Sequence, residues 1–170
     1  MAATRITLTC PDPEATARVA RALAAILRPG DTVLLQGDVG AGKTHFARAA
    51  IQAAMVAPED VPSPSYTLVQ TYRGREGEIW HADLYRLGDA AELAELGLEE
   101  AFETAIVFVE WPDRLGKLAP PGALIIDFAV PAAATPAAAS PEGGAETRRL
   151  CLRSADPAWA ARLLELPGHG

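Results

Sequence analysis

The sequence predicts an α/β fold, a mostly parallel central sheet flanked by helices with antiparallel hairpins added to it. Three observations carry that prediction. The apolar run Thr32-Val33-Leu34-Leu35 reads as a buried strand and the Ala-rich segment from Lys43 to Met55 as a helix, with Gly37-Asp38-Val39-Gly40-Ala41-Gly42-Lys43-Thr44 between them. Ala105-Ile106-Val107-Phe108-Val109-Glu110 is an apolar, β-branched run ending in a carboxylate, as expected of a strand buried on both faces of a parallel sheet. Leu68 to Arg73 with Glu78 to Leu84, and Leu124 to Val130 with Thr147 to Leu152, read as paired strands joined by turn-rich connectors. A complete G-x-x-x-x-G-K-T loop between a strand and a helix makes the fold a P-loop NTPase domain.

Length and charge narrow the reading further. The chain has 170 residues, 49% of them hydrophobic, enough for one sizeable core, so a single domain over 1–170 is expected. A net charge of −7 argues against the chain holding RNA or DNA by itself, because nonspecific affinity comes from Lys and Arg neutralising phosphates. Cys10 and Cys151 match no metal spacing, and two reduced thiols are expected. No apolar h-region follows the first residues, and no apolar run approaches a membrane span, so the expectation is a cytoplasmic protein with no membrane partner.

Taken in order, Arg5 to Cys10 alternates Ile6 and Leu8 with Thr7 and Thr9, a half-exposed strand at a sheet edge. Asp12-Pro13-Glu14 opens a helix, with Asp12 as N-cap, Pro13 at the first helical position and Glu14 favourable to the dipole; Val19, Leu23 and Ile26/Leu27 form its buried stripe. Pro29-Gly30 ends that helix and leads into the Thr32 to Gln36 strand. Val61-Pro62-Ser63-Pro64-Ser65-Tyr66-Thr67 is a proline-stiffened, hydroxyl-rich loop; nucleotide switches also use such loops, with Ser65 and Thr67 the candidates. Gly74-Arg75-Glu76-Gly77 turns the first hairpin. The acidic stretch from Asp89 to Glu103 reads as one or two short helices broken at Gly97. Residues 131–146, rich in Ala, Pro and Gly without periodicity, read as a flexible hairpin tip, and Asp156-Pro157 opens a last helix through Leu166 with Trp159 and Leu163 buried.

The loop dictates the chemistry. Gly37, Gly40 and Gly42 let the backbone curl with its N–H groups inward, so a triphosphate sits at a helix N-terminus. Lys43 adds a point charge for the β- and γ-phosphates, and Thr44 a hydroxyl for Mg²⁺ shared with phosphate oxygens. Glu110, at the carboxyl end of its strand, falls beside the loop, where it can hold Mg²⁺ through water or orient the attacking water. Asp83 is open to two readings, a cap or surface carboxylate and a site acid, while His81 reads as a packed, hydrogen-bonded histidine.

Four segments together resemble one family: Gly37 to Thr44, Ser63-Pro64-Ser65-Tyr66-Thr67-Leu68-Val69, His81-Ala82-Asp83-Leu84-Tyr85-Arg86-Leu87 and Val109-Glu110-Trp111-Pro112. Their order and spacing are similar to the TsaE (YjeE) family, bacterial ATPases of tRNA threonylcarbamoyladenosine biosynthesis, from about Asp12 to Trp159. The resemblance implies a compact P-loop ATPase that hydrolyses ATP slowly alone and acts with TsaD and TsaB on an adenosine next to the anticodon, reaching tRNA only through that complex. It implies that Asp38, Val39, Gly40, Ala41, Gly42, Lys43, Thr44 and His45 cradle the nucleotide, with Trp111 close by. Thr44, Glu110 and Asp83 would serve Mg²⁺, with Lys43, Asp83 and Glu110 the catalytic set and Ser65 and Thr67 the switch-like hydroxyls. Ser65 stands where the family usually has Thr, His45 where a second Thr is usual, and the 131–146 segment is longer than the usual turn.

Three other functions compete. A small-molecule kinase needs an arginine-bearing lid, and Arg73, Arg75 and Arg114 are scattered. A regulatory GTPase needs an Asn-Lys-x-Asp segment, which is missing. A nucleotide-binding scaffold would bind ATP without useful hydrolysis, and replacing Glu110 or Asp83 discriminates it.

Overall fold

The structure, a computed structural model, describes residues 3–57, 59–64, 67–131 and 147–167. Its strands are β1 (Thr4–Cys10), β2 (Thr32–Gln36), β3 (Val69–Arg73), β4 (Glu78–Asp83), β5 (Ile106–Glu110), β6 (Leu124–Ala129) and β7 (Arg148–Ser154), and they form one sheet in the order β1-β7-β6-β2-β5-β4-β3. The four central strands, β6, β2, β5 and β4, run parallel. Antiparallel strands complete both sides: β7 on β6, β1 on β7, and β3 on β4. The expected α/β architecture, parallel at its centre with hairpins added, is therefore the one observed.

Burial explains why β2 and β5 are central. Every residue of β5 is buried, and alternate side chains enter different cores, Ile106 and Phe108 on one face, Val107 and Val109 on the other. The first face is covered by α1 (Pro13–Ile26), α2 (Lys43–Ala54) and α5 (Ala158–Leu163), which contribute Leu23, Phe46 and Trp159 among others. The second is covered by α3 (Ala90–Glu95), α4 (Leu98–Thr104) and a 3₁₀ turn over Pro112–Leu118. Fully burying one Leu or Phe contributes roughly 1.5–3 kcal/mol, so the two clusters supply the main drive for the fold.

Local signals act where the sequence places them. Asp12 Oδ1 accepts from Ala15 N at 2.7 Å and caps α1, a contact contributing about 1 kcal/mol. Gly97 takes a left-handed φ of 78° between α3 and α4. Several boundaries move. Leu68 has φ 65° and stands outside β3, α2 stops before Met55, and β7 continues to Ser154. α5 ends at Leu163, with turns continuing towards the buried Leu166, rather than running as one helix to Leu166. A 3₁₀ turn with Pro112 at its start follows Trp111, where the sequence predicts no element. Cys10 and Cys151 are free thiols, and burial pushes the Cys10 thiol pKa up. Among the described residues no helix is long and apolar enough to cross a membrane. Most of the 131–146 segment (132–146) lies outside the described residues, as does Ser65.

Candidate functional site

The carboxyl ends of β2, β4 and β5 meet at the Gly37 to Thr44 loop. Gly37 has φ 152°, and a Cβ there would come within 2.8 Å of the Phe128 carbonyl oxygen, so only glycine lets the chain leave β2 this close to β6. Gly42 (φ 105°) is the N-cap of α2 and offers no capping side chain, which leaves the first N–H groups of that helix to the loop. Lys43 is only 5% exposed. Its ammonium donates to the Gly37 carbonyl and to the Asp38 carbonyl at 3.1 Å, and lies 3.8 Å from the Trp111 ring centroid. Burial lowers its pKa, and the carboxylates of Glu110, Asp83, Asp38 and Asp113 pull it back up.

Thr44 Oγ1 donates to Glu110 Oε1 at 2.6 Å across 66 residues of sequence. The other oxygen, Oε2, lies 2.7 Å from His81 Nε2, which must donate because a carboxylate only accepts. His81 is 0% and Glu110 2% exposed, so His81 is sealed within the sheet while Glu110 is buried at the cavity wall. His81 Nδ1 is buried without a hydrogen-bond partner among the described residues. Asp83 and Glu110 are register partners on the parallel strands β4 and β5, which brings two carboxylates side by side at the sheet edge. Asp83 accepts the Tyr85 backbone N–H at 3.1 Å, and the Tyr85 ring sits 4.8 Å from that of Trp111. Trp111 holds φ 60°, a strained conformation for a non-glycine residue, costing on the order of 1–3 kcal/mol.

These groups enclose a cavity of about 380 Å³ lined by Val39, Gly40, Gly42, Lys43, Thr44, His45, Ser63, Asp83, Tyr85, Glu110 and Trp111. Most of the residues singled out from the sequence are thus brought together. Ala41 is buried behind the loop, and Asp38 contributes its carbonyl to Lys43. The His45 ring donates from Nε2 to the Pro13 carbonyl at 2.9 Å, at the start of α1. Thr67 is exposed, accepts from Gln70 Nε2 at 2.9 Å, and is not among the cavity-lining residues. Sequence reasoning missed Ser63 and Tyr85 as lining residues; Tyr85, two positions past Asp83 in the same segment, could have been found from that spacing.

The donor set suits a hard cation that keeps its waters and shares phosphate oxygens. Among the described residues no group of three or more His, Cys, Asp or Glu forms a metal cage. The oxygens of Thr44, Glu110 and Asp83 are what a Mg²⁺ ion bound mainly through a nucleotide uses.

The chain is similar to known proteins. The profile of the family described as Threonylcarbamoyl adenosine biosynthesis protein TsaE matches residues 10–135. A Rickettsia felis protein named tRNA threonylcarbamoyladenosine biosynthesis protein TsaE is 39% identical over 117 residues, covering 69% of this chain and 68% of that protein. Proteins of the same name from Rickettsia bellii (42% over 107 residues, 63% of this chain and 74% of that one) and Bacillus subtilis (34% over 110 residues, 64% and 68%) are also similar. Among solved structures, Bacillus subtilis YdiB superposes with a TM-score of 0.74 at 23% identity over 97% of this chain and 95% of that one, a likeness of fold.

Proposed function

The chain belongs to the TsaE family, and on that premise we propose that it is a Mg²⁺-dependent ATPase of tRNA threonylcarbamoyladenosine biosynthesis, weak alone, that drives or resets a TsaD–TsaB complex. The observation that carries this reading is the 2.6 Å hydrogen bond joining Thr44 of the phosphate loop to Glu110 at the end of β5. It supports a site in which loop hydroxyl and strand carboxylate act on one metal–phosphate group.

Lys43 exchanges the Gly37 and Asp38 carbonyls for β- and γ-phosphate oxygens, while the loop N–H groups hold the triphosphate. Thr44 and Glu110 would hold Mg²⁺, which when bound would neutralise charge developing on the phosphates. Glu110, engaged at one oxygen by Thr44 and at the other by His81, is fixed for that task. Asp83, its neighbour across the ladder, orients the water in line with the γ-phosphorus. The new P–O bond forms as the bond to the β,γ-bridging oxygen breaks, releasing ADP and phosphate. Catalysis is then positioning and charge stabilisation.

Among the described residues no arginine lines the cavity, which supports a slow intrinsic rate; Arg86, next to the cavity-lining Tyr85, is the candidate arginine finger. The net charge of −7 supports contact with tRNA through the complex rather than by this chain directly. The test is steady-state ATP hydrolysis with Mg²⁺, alone and with stoichiometric TsaD and TsaB. Slow turnover that the partners accelerate is expected; fast turnover alone, or neither response to nor binding of the partners, overturns the reading.

A further inference from the structure

We propose that Arg148, the first residue of β7, is a positioning residue for the nucleotide, its guanidinium clamping the outer face of the phosphate loop. Arg148 Nε donates to the Ala41 carbonyl at 3.1 Å and Nη2 to the Gly40 carbonyl at 3.3 Å, across 107 and 108 residues of sequence. Nε and Nη2 form one edge of the planar guanidinium, so the fork spans two consecutive carbonyls. Nη1 donates to the Thr147 carbonyl at 3.0 Å, and pairing of Arg148 with Cys10 in the β1–β7 ladder fixes the base of the side chain.

The consequence follows from peptide planarity. In a trans peptide the C=O and the next N–H point to opposite sides, so pinning the Gly40 and Ala41 carbonyls outward fixes the N–H groups of Ala41 and Gly42. The Ala41 N–H closes a turn onto the Asp38 carbonyl at 3.1 Å, the carbonyl on which Lys43 also rests. Packing does little of this work at the crest of the loop: Val39 is 76% exposed, and a Cβ on Gly40 would meet nothing within 4 Å. Arg148 therefore supplies order that the crest lacks. It lies beyond the family-matched residues 10–135, so the clamp is a contribution of the C-terminal hairpin.

The inference rests on the loop being the nucleotide site, and a binding probe separates the two. Titration with a fluorescent ADP analogue in Mg²⁺ is expected to show Kd about tenfold higher in Arg148→Ala, with KM for ATP rising in parallel and kcat at saturating ATP within about twofold. Arg148→Lys, whose ammonium reaches one carbonyl at a time, is expected to stay well above wild-type Kd. Arg149→Ala removes the same charge from an exposed neighbour and is expected to bind as wild type. Wild-type Kd in a folded Arg148→Ala, full restoration by Lys, or an equal loss in Arg149→Ala overturns the clamp. If Arg148→Ala does not fold, the Lys variant decides. Failure of the wild-type chain to bind the probe overturns the nucleotide reading and the clamp with it.

Discussion

The two ends of β2 each hold a basic side chain near a carboxylate, yet they are built differently. Below the strand, Arg162 of α5 donates to both oxygens of Asp31, with Nη1 at 3.1 Å from Oδ1, and its guanidinium stacks 4.0 Å from the Trp159 ring. Opposite charges meet directly there and an indole covers the guanidinium, although Arg162 Nε is buried without a hydrogen-bond partner among the described residues. Above the strand, Lys43 makes no ion pair among the described residues, resting on two carbonyls and the Trp111 ring. The nearby Glu110 is held instead by a hydroxyl and an imidazole. Charges kept close but not joined remain available to a ligand, whereas a closed pair serves the fold.

If that contrast is right, substitutions at the two ends should separate turnover from stability. Asp83→Asn and Glu110→Gln are expected to lower kcat by about 100-fold or more while ADP affinity stays within about threefold, checked by phosphate release and by titration. Wild-type turnover in both variants would remove the role assigned to these carboxylates. Asp31→Ala leaves the partly buried Arg162 without its counter-ion, and urea unfolding should show a loss of about 1–2 kcal/mol, with kcat per folded molecule unchanged. His81→Leu is intermediate: it strips Glu110 Oε2 of its donor, so turnover is expected to fall about tenfold, with partial recovery in His81→Gln. The smallest effect belongs to replacing 132–146 by a short Gly-Ser turn. Loop closure depends only weakly on length, so the shift in unfolding free energy should stay within about 1 kcal/mol and ADP binding should be retained.

Much of the fold was legible because the signals are local. The β3–β4 hairpin around the Gly74 to Gly77 turn, the Asp12 cap and the break at Gly97 each depend on residues a few positions apart. The end of α5 is not legible in the same way, because a cap-and-proline start says nothing about where packing of Trp159, Leu163 and Leu166 into the core lets the helix stop. His81 reads correctly as a hydrogen-bonded histidine, but its partner is 29 residues away and no pattern in the chain names it.

The chain's own order of residues settles that a phosphate loop stands between a buried strand and a helix, and that an apolar strand ends in Glu110; periodicity, glycine placement and side-chain type suffice for that. Strand order is another matter. Placing β5 between β2 and β4 sets Glu110 against Thr44 on one side and Asp83 on the other, and bringing β7 beside β6 carries Arg148 to the loop. Those contacts join groups 27 to 108 residues apart, and they exist because two apolar faces must be buried at once, a constraint that acts on the whole sheet and leaves no mark in any short segment.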